Sequence, residues 1–476
     1  MAPPLPQPRQ LVLGGQLLAG ATQQPVFAPF DGRPLAPVAQ ASRAQVEQAL
    51  VVAFEGRARL ARASAGQRRR LLDGLVQRLR DHRQAFVELI VHEAGKPVTA
   101  ARAEVDRAIE TFTLAAAELS GFGGETVPVD LMPGAEGTTA EVRRVPAGVV
   151  VGVVPFNFPL NLGAHKVAPA LAVGAPIIIK PPPQAPGAML LLGALALEAG
   201  ADPAALQVLP CAVEVAEALA TDSRVRVMSF TGSARVGWHL KAKVKGRAVL
   251  ELGGNAAAIV RHDAEVPKAA KRLALGAFAY AGQVCIKVQR IVVEQPAWEA
   301  FLPAFLAEVD ALGVGDPSRE DTVVGPVIDA AAAERIEAWV DEAVEKGAVV
   351  LRRRPRAGAV LAPVVLTDVP RDTRVVSEEI FGPVVVLERV PSFDAALESV
   401  NAGRYGLQAA IFTNELSAVR RAFAELEVGG VIVNDSTSFR SDNMPYGGVK
   451  DSGLGREGVR YAMADFSEER VLVLRP

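Results

Sequence analysis

Cysteine is nearly missing from these 476 residues: Cys211 and Cys285 are the two that occur. That excludes a disulfide framework in practice and makes a reducing compartment, the cytoplasm, the expected location. Histidine is almost as sparse. His82, His92, His165, His239 and His262 form no HExxH or CxxC-type cluster, so no metal is expected. Charge of one sign is lacking too, since 51 basic residues face 53 acidic ones for a net −2. Neither a nucleic-acid footprint nor a membrane-binding face follows from that balance. The longest apolar run, residues 148–164, contains two prolines and two asparagines, which argues for buried strand and turn rather than a bilayer span. The opening Met1-Ala-Pro-Pro-Leu-Pro has neither the basic start nor the apolar centre of a signal peptide.

What is present is apolar side chain: half of the residues are hydrophobic. At about 100–200 residues per domain, two or three domains are expected, with ample core. A Pro-rich arm leads into helices. Ser42 and Gln45 make a capping box, after which Val46, Ala49, Leu50, Ala53 and Phe54 share one helical face. Helical stretches near 67–79 and 102–119 follow. From residue 140 short β-branched runs (149–154, 177–179, 206–209, 225–230) alternate with helical segments such as 189–199. That alternation predicts a parallel α/β sheet covered on both faces. A second alternation starts after Gly254, with helices over 266–281 and 297–312 and strands over 289–293, 349–351 and 384–386. Residues 126–142 alternate like a hairpin. The end of the chain, 466–474, reads as a strand that needs a partner, as in intersubunit pairing.

Three separated residues suit one chemistry. Cys285, after Ala281-Gly282-Gln283-Val284, is in isolation a small buried hydrophobe, but its thiolate would attack a carbonyl and later leave from a thioester. Glu251 ends an apolar strand before Leu252-Gly253-Gly254. Its plain reading is a solvated strand end; its functional one is a buried carboxylate of raised pKa that activates water. Asn157, in Pro155-Phe156-Asn157-Phe158-Pro159, is either a turn residue or an amide aimed at an oxyanion. Phe230-Thr231-Gly232-Ser233 opens a helix whose free N–H groups suit a pyrophosphate, and Lys180 sits at a strand's carboxyl end, where nucleotides bind.

Segments 154–170, 177–184, 230–237, 251–255, 276–285, 378–383 and 434–463 resemble, in this order, the signatures of NAD(P)-dependent aldehyde dehydrogenases. The resemblance implies a Rossmann-like parallel-sheet cofactor domain (1–125 and 144–251) and an α/β catalytic domain (252–435). It also implies a small β oligomerisation element (126–143 and 458–476) and a segment, 436–457, returning toward the substrate pocket. Cys285 would be the nucleophile, Glu251 the base for the deacylating water, and Asn157 with the Cys285 N–H the oxyanion hole. Lys180 would contact the adenosine ribose, Gly232 and Ser233 the pyrophosphate, and Glu379, with Phe381 beside it, the nicotinamide ribose. Val153, Pro155, Phe156, Pro183, Phe230, Val236, Leu252 and Gly253 complete the cofactor set. A homodimer or homotetramer is implied.

Two departures matter. NAD-preferring members commonly carry Glu where Pro183 stands, and a proline neither accepts from the 2′-hydroxyl nor repels a 2′-phosphate. NADP is therefore expected to be tolerated and even preferred. Pro210-Cys211-Ala212-Val213 replaces glycines near the adenine, and Cys211 is read as packing. Residues 434–448 and Gly282-Gln283-Val284-Cys285-Ile286 are similar to lactaldehyde dehydrogenases. Lys180-Pro181-Pro182-Pro183-Gln184 and Tyr405-Gly406-Leu407-Gln408-Ala409 are similar to non-phosphorylating glyceraldehyde-3-phosphate dehydrogenases. Arg440 is the first substrate-recognition candidate, or else a loop arginine. Arg107, Phe158 and His165 follow, the last with the plain reading of a satisfied core histidine. The phosphate-using relatives place Arg before the nucleophile, where this chain has Val284, so an uncharged or monoanionic hydroxyaldehyde such as lactaldehyde is expected. A glyceraldehyde-3-phosphate or semialdehyde dehydrogenase is the alternative. Acyl transfer to coenzyme A is disfavoured by Glu251, and a non-catalytic binding paralogue by the presence of all three residues.

Overall fold

The computed structural model describes residues 9–476, so the Met1–Pro6 stretch lies outside the described residues. An eight-stranded sheet forms the first layer. Its centre is five parallel strands, in spatial order Leu206–Val208, Ile177–Lys180, Val149–Val153, Val225–Thr231 and Arg247–Glu251. Ile177, Ile178 and Ile179 are all fully buried, as a strand covered on both faces must be. Helix Asn161–Val173, buried along its whole length, and helix Gly187–Glu198 supply part of that cover. The capping box forms at the start of helix Arg43–Arg62, where the Ser42 hydroxyl accepts from the Gln45 N–H at 3.1 Å.

The N-terminal arm is more than an arm. Leu11–Leu13 pairs antiparallel with Leu206–Val208 and widens the sheet, burying three successive apolar side chains. A three-residue strand is too short for periodicity to reveal.

From Val149–Val153 the chain builds outward through Ile177–Lys180 and Leu206–Val208. It then crosses back to place Val225–Thr231 on the other side of the first strand. The crevice at such a reversal, outside the carboxyl ends of the strands, is where open α/β sheets take ligands. Asn157, Lys180, Gly232 and Glu251 all leave strands at that edge.

A second, seven-stranded sheet runs from Val349–Arg352 through Val364–Thr367, Val384–Val390, Val288–Glu294, Ala256–Val260 and Gln408–Phe412 to Gly430–Val433. The expected helix 266–281 stops at Phe278. Tyr280, Ala281 and Gly282 follow in left-handed backbone, at φ of 54°, 52° and 67°. Two of these carry a Cβ, and that costs strain which the surroundings must hold. The Tyr280 N–H donates to the Val323 carbonyl at 2.9 Å and its hydroxyl to that of Ala94 at 3.1 Å. A Cβ on Gly282 would meet the Gly382 carbonyl, so packing within the chain, not approach of a substrate, demands glycine there. This reversal delivers Cys285 to the amino end of strand Val288–Glu294, facing the carboxyl edge of the first sheet.

Strands Gly124–Pro128, Thr139–Pro146 and Ser467–Leu474 form a third, antiparallel sheet. The last strand keeps one edge open, with Val471, Leu472, Val473 and Leu474 at least half exposed. Helix Val459–Asp465 instead packs Val459, Ala462 and Met463 into the core around Asn161–Val173, so the chain joins the third sheet only at Ser467. Before it, Val449–Lys450 pairs with Tyr405–Gly406, and Gly453–Leu454 adds antiparallel to Arg247–Glu251. Among the described residues no helix is long and apolar enough to cross a membrane, and no group of His, Cys, Asp or Glu could hold a metal ion.

Candidate active site

The two sheets meet at a crevice of about 1100 Å³. Asn157, Glu251 and Cys285 line it, together with every residue assigned above to the cofactor. Side chains as far apart in sequence as Val153 and Phe381, 228 positions, therefore share one wall only because the two sheets face edge to edge.

Asn157 is 4 % exposed and its side-chain amide donates one N–H to the Gln283 carbonyl at 3.0 Å. That leaves the other N–H free for the crevice. Gln283 is itself fixed, donating to the Pro326 carbonyl at 3.2 Å and accepting from the Ile328 N–H at 2.8 Å. The backbone N–H of Cys285 has no acceptor among the described residues. Two unpaired donors thus belong to residues that line the same crevice, the kind of group an oxyanion hole requires. Below them, Glu104 accepts from the N–H groups of Leu160 (2.9 Å) and Asn161 (3.2 Å) and pairs with Lys96. The buried Lys96 ammonium also stands 3.5 Å from the Phe158 ring centroid. Burial pushes Lys96 down to about 8 against the pull of Glu104. This pair, absent from the sequence reading, fixes the turn that carries Asn157.

Glu251 is 3 % exposed, and neither of its carboxylate oxygens has a hydrogen-bond partner. A Cβ at position 447 would come within 2.6 Å of one of them, so Gly447 is what leaves the carboxylate room. Burial, and then the charge of Glu457, raise the Glu251 carboxyl well above its ordinary range; Arg440, Lys166 and Arg456 oppose them. Glu457 is held the other way. Against its burial, Lys166 (2.9 Å) and Arg440 (3.1 Å) bring it down to about 2. One buried carboxyl is thus kept ionised beside another that is free to exchange a proton, the separation acid–base work needs. Lys166, the one charged residue in the helix Asn161–Val173, was the sequence signal for this cluster: a buried lysine must have a partner.

Further along the crevice, helix Ala234–Lys241 starts at Ser233 with no side-chain cap, so its first N–H groups remain available there. Lys180 lines the same wall, its ammonium pushed down by burial and up by Cys211. Cys211 is buried, and that burial moves its thiol up to about 11, fitting a packing role. Glu379 accepts the Gly254 N–H at 3.0 Å and lies against Gly253, where any Cβ would collide with it. Burial raises its carboxyl to about 7, opposed by that hydrogen bond, Arg335 and Lys287. Phe381 packs edge-on against Phe156, ring centroids 5.8 Å apart.

Residues 18–472 match the model of the Aldehyde dehydrogenase family. The chain belongs to the aldehyde dehydrogenase family. It is 40% identical over 466 residues to a 3-sulfolactaldehyde dehydrogenase of Priestia aryabhattai, covering 98% of this chain and 97% of that one. Aldehyde dehydrogenase 21 of Physcomitrella patens, solved with the reaction product succinate, superposes with a TM-score of 0.96 at 40% identity, over 99% of this chain and 98% of that one. An NADP-dependent glyceraldehyde-3-phosphate dehydrogenase of Bacillus halodurans, complexed with NADP, gives 0.95 at 33% identity over 98% and 99% of the two chains. The protein is an NAD(P)-dependent oxidoreductase, and the crevice has the shape, the free N–H groups, the cation and the carboxylate that a dinucleotide needs.

None of the residues assigned to substrate recognition is among those that line the crevice of this aldehyde dehydrogenase. Arg107 makes a fork on Asp442, at 3.0 and 2.6 Å, with its guanidinium 5.9 Å from the Phe158 ring centroid. His165 is buried, meets the same carboxylate through Nε2 at 2.8 Å and leaves Nδ1 without a partner. Burial lowers its pKa, so it stands as the neutral Nε2–H tautomer. Arg440 pairs with Glu457 and stacks on Tyr446, 3.8 Å from the ring centroid. Its Nε is buried without a partner. The sequence reading left out Asp442, Glu457 and Tyr446, the groups that hold these candidates in place.

Proposed function

We propose that this enzyme oxidises a short hydroxyaldehyde to its carboxylate with NAD(P), through a thioester on Cys285 that water activated by Glu251 hydrolyses. The observation that carries this reading is the Glu251 carboxylate. It is buried in the wall shared with Cys285, and both oxygens are unpaired. A carboxylate left without partners costs several kcal/mol unless something else uses it, and a water poised against the acyl carbon is that use.

Cys285 attacks the aldehyde carbon, and the second Asn157 N–H with the Cys285 N–H receives the charge moving onto the carbonyl oxygen. Bound NAD(P) supplies the two-electron acceptor. Glu251 then takes a proton from water, whose oxygen bonds to the acyl carbon, and the sulfur departs. Glu379, Lys180 and the first turn after Ser233 would hold the dinucleotide. With Pro183 at the adenosine end, NADP is accepted at least as well as NAD.

Electrostatics support a neutral or monoanionic substrate. Behind Phe158 and Tyr446, the cations Arg107, Arg440 and Lys166 face the carboxylates Asp442 and Glu457, while His165 is neutral. One positive charge in excess suits a carboxylate or sulfonate better than a dianionic phosphate. Initial rates with NAD and NADP across lactaldehyde, sulfolactaldehyde, succinic semialdehyde, glyceraldehyde-3-phosphate and a plain aliphatic aldehyde test this. The hydroxyaldehydes should lead in kcat/KM, and a clear lead for the phosphate or the aliphatic aldehyde overturns the substrate reading. The carboxylate semialdehyde is the second reading, favoured by the succinate-bound neighbour. The open edges of strands Ser467–Leu474 and Gly430–Val433 support assembly as a homodimer or homotetramer through sheet extension.

Glu379 should make cofactor affinity pH-dependent. Ribose hydroxyls donate to the ionised carboxylate, so affinity should fall as pH drops through about 7. The loss approaches about tenfold per pH unit below that value. Fluorescence titration of NADP should show this in the wild type and not in E379Q; a flat wild-type profile removes Glu379 from cofactor binding.

A further inference from the structure

One polar contact in the crevice has no task in the cycle just described. The Tyr446 hydroxyl lies 2.9 Å from the Cys285 sulfur, the thiol's one side-chain hydrogen bond among the described residues. Tyr446 is 3 % exposed and held on two sides. Its N–H donates to the Glu457 carbonyl at 2.9 Å and its carbonyl accepts from the Glu457 N–H at 2.6 Å, while the Arg440 guanidinium covers its ring. Its neighbour Gly447 makes room for Glu251. A phenylalanine would fill the same space but leave the sulfur without this contact.

We propose that Tyr446 is a catalytic residue whose O–H donates to the Cys285 thiolate, stabilising it both as nucleophile and as leaving group. The inference rests on the reading of Cys285 as nucleophile. Burial pushes the Cys285 thiol up to about 12, and Glu379 and Glu251 push the same way; the Tyr446 hydrogen bond is the largest influence opposing them, with Arg440 next. Burial, and then Cys285, raise the Tyr446 hydroxyl well above its ordinary range, so it stays protonated and keeps an O–H to donate to the thiolate. Arg440 against the ring favours the developing negative charge on the phenol oxygen and strengthens that donor.

The atoms balance without a proton leaving Tyr446. The thiol proton departs to solvent. The sulfur's electron pair forms the bond to the aldehyde carbon, and the charge passes to the carbonyl oxygen. In deacylation the water oxygen bonds to the acyl carbon and its proton goes to Glu251. The carbon–sulfur bond breaks, and the sulfur recovers its electron pair facing the same O–H.

The test is the rate of iodoacetamide alkylation of cofactor-free enzyme across pH, with the labelled cysteine located by mass spectrometry. Arg440, Glu457, Lys166, Glu251 and Glu379 also face this pair, so the series is repeated in E251Q and E379Q backgrounds. In Y446F labelling of Cys285 should slow roughly tenfold across the pH range where the thiol is mostly protonated, which corresponds to a midpoint raised by about one pH unit. The kcat/KM for aldehyde should fall in parallel. Fluorotyrosine incorporated at position 446, which keeps the shape and strengthens the donor, should move the midpoint down. It also decides the matter if Y446F folds poorly. An unmoved midpoint in either protein overturns the role of Tyr446. A C285A enzyme that still oxidises aldehyde would instead overturn the nucleophile reading, so the two failures are distinguishable.

Discussion

Replacing Glu251 with glutamine should leave a stoichiometric burst of reduced cofactor and cut steady turnover by roughly 10²–10⁴-fold, the usual span for removing a general base. Acylation needs Cys285, Asn157 and the bound dinucleotide, and E251Q removes none of them. Hydrolysis needs a group that takes a proton from water, and an amide cannot. The pH profile gives the finer check. Burial and Glu457 raise the Glu251 carboxyl well above its ordinary range, so its ionised fraction still grows with pH where most carboxylates are fully charged. Wild-type deacylation should climb with pH along that limb, and E251Q should lose it. The variant should fold at least as well as the parent, because it removes a buried carboxyl whose two oxygens have no partner. Rapid-mixing measurement of the burst, followed by the steady phase, separates the steps. Undiminished steady turnover would take Glu251 out of the mechanism.

Much of the site was legible because its members carry local context. Glu251 ends an apolar strand before two glycines, Asn157 follows one, and Gly232-Ser233 stands between a strand and a helix. Period and punctuation place such residues at a sheet's carboxyl edge before any coordinates are known. The groups behind them were not legible, for a physical reason. Tyr446 and Glu457 lie in residues 436–457, which have little regular structure and are placed by long-range pairing with Tyr405–Gly406 and Arg247–Glu251. No local pattern encodes such contacts. The turn at Tyr280–Gly282 was misread as helix because Ala, Tyr and Ala continue a helical pattern; what breaks it is hydrogen bonding to Val323 and Ala94, remote in sequence. Arg440 and His165 stand out in the sequence by type, yet the carboxylates that orient them, Glu457 and Asp442, sit in a segment whose path composition cannot reveal.

Glu457 is where stability and catalysis pull apart most strongly. The E457Q variant should lose roughly 3–5 kcal/mol, because it strips the counter-charge from two buried cations. Lys166 would keep only the Thr231 hydroxyl at 2.7 Å, and Arg440 only its place on the Tyr446 ring. The sign with pH follows from the depressed carboxyl. The Glu457 charge contributes its full stabilisation above the unfolded value of about 4.3 and loses it as pH falls toward about 2. The stability gap between E457Q and the parent in urea should therefore be wide at neutral pH and narrow on acidification. Catalysis should shift the opposite way. With its neighbour's negative charge gone and Lys166 and Arg440 left uncompensated, Glu251 ionises more readily. The rising limb of deacylation then moves to lower pH, and the less stable enzyme retains a larger share of its maximal rate in acid. Loss of stability with an unmoved limb would make Glu457 a packing partner only. A moved limb would mean that the charge beside Glu251, as well as its burial, sets the pH at which this aldehyde dehydrogenase turns over.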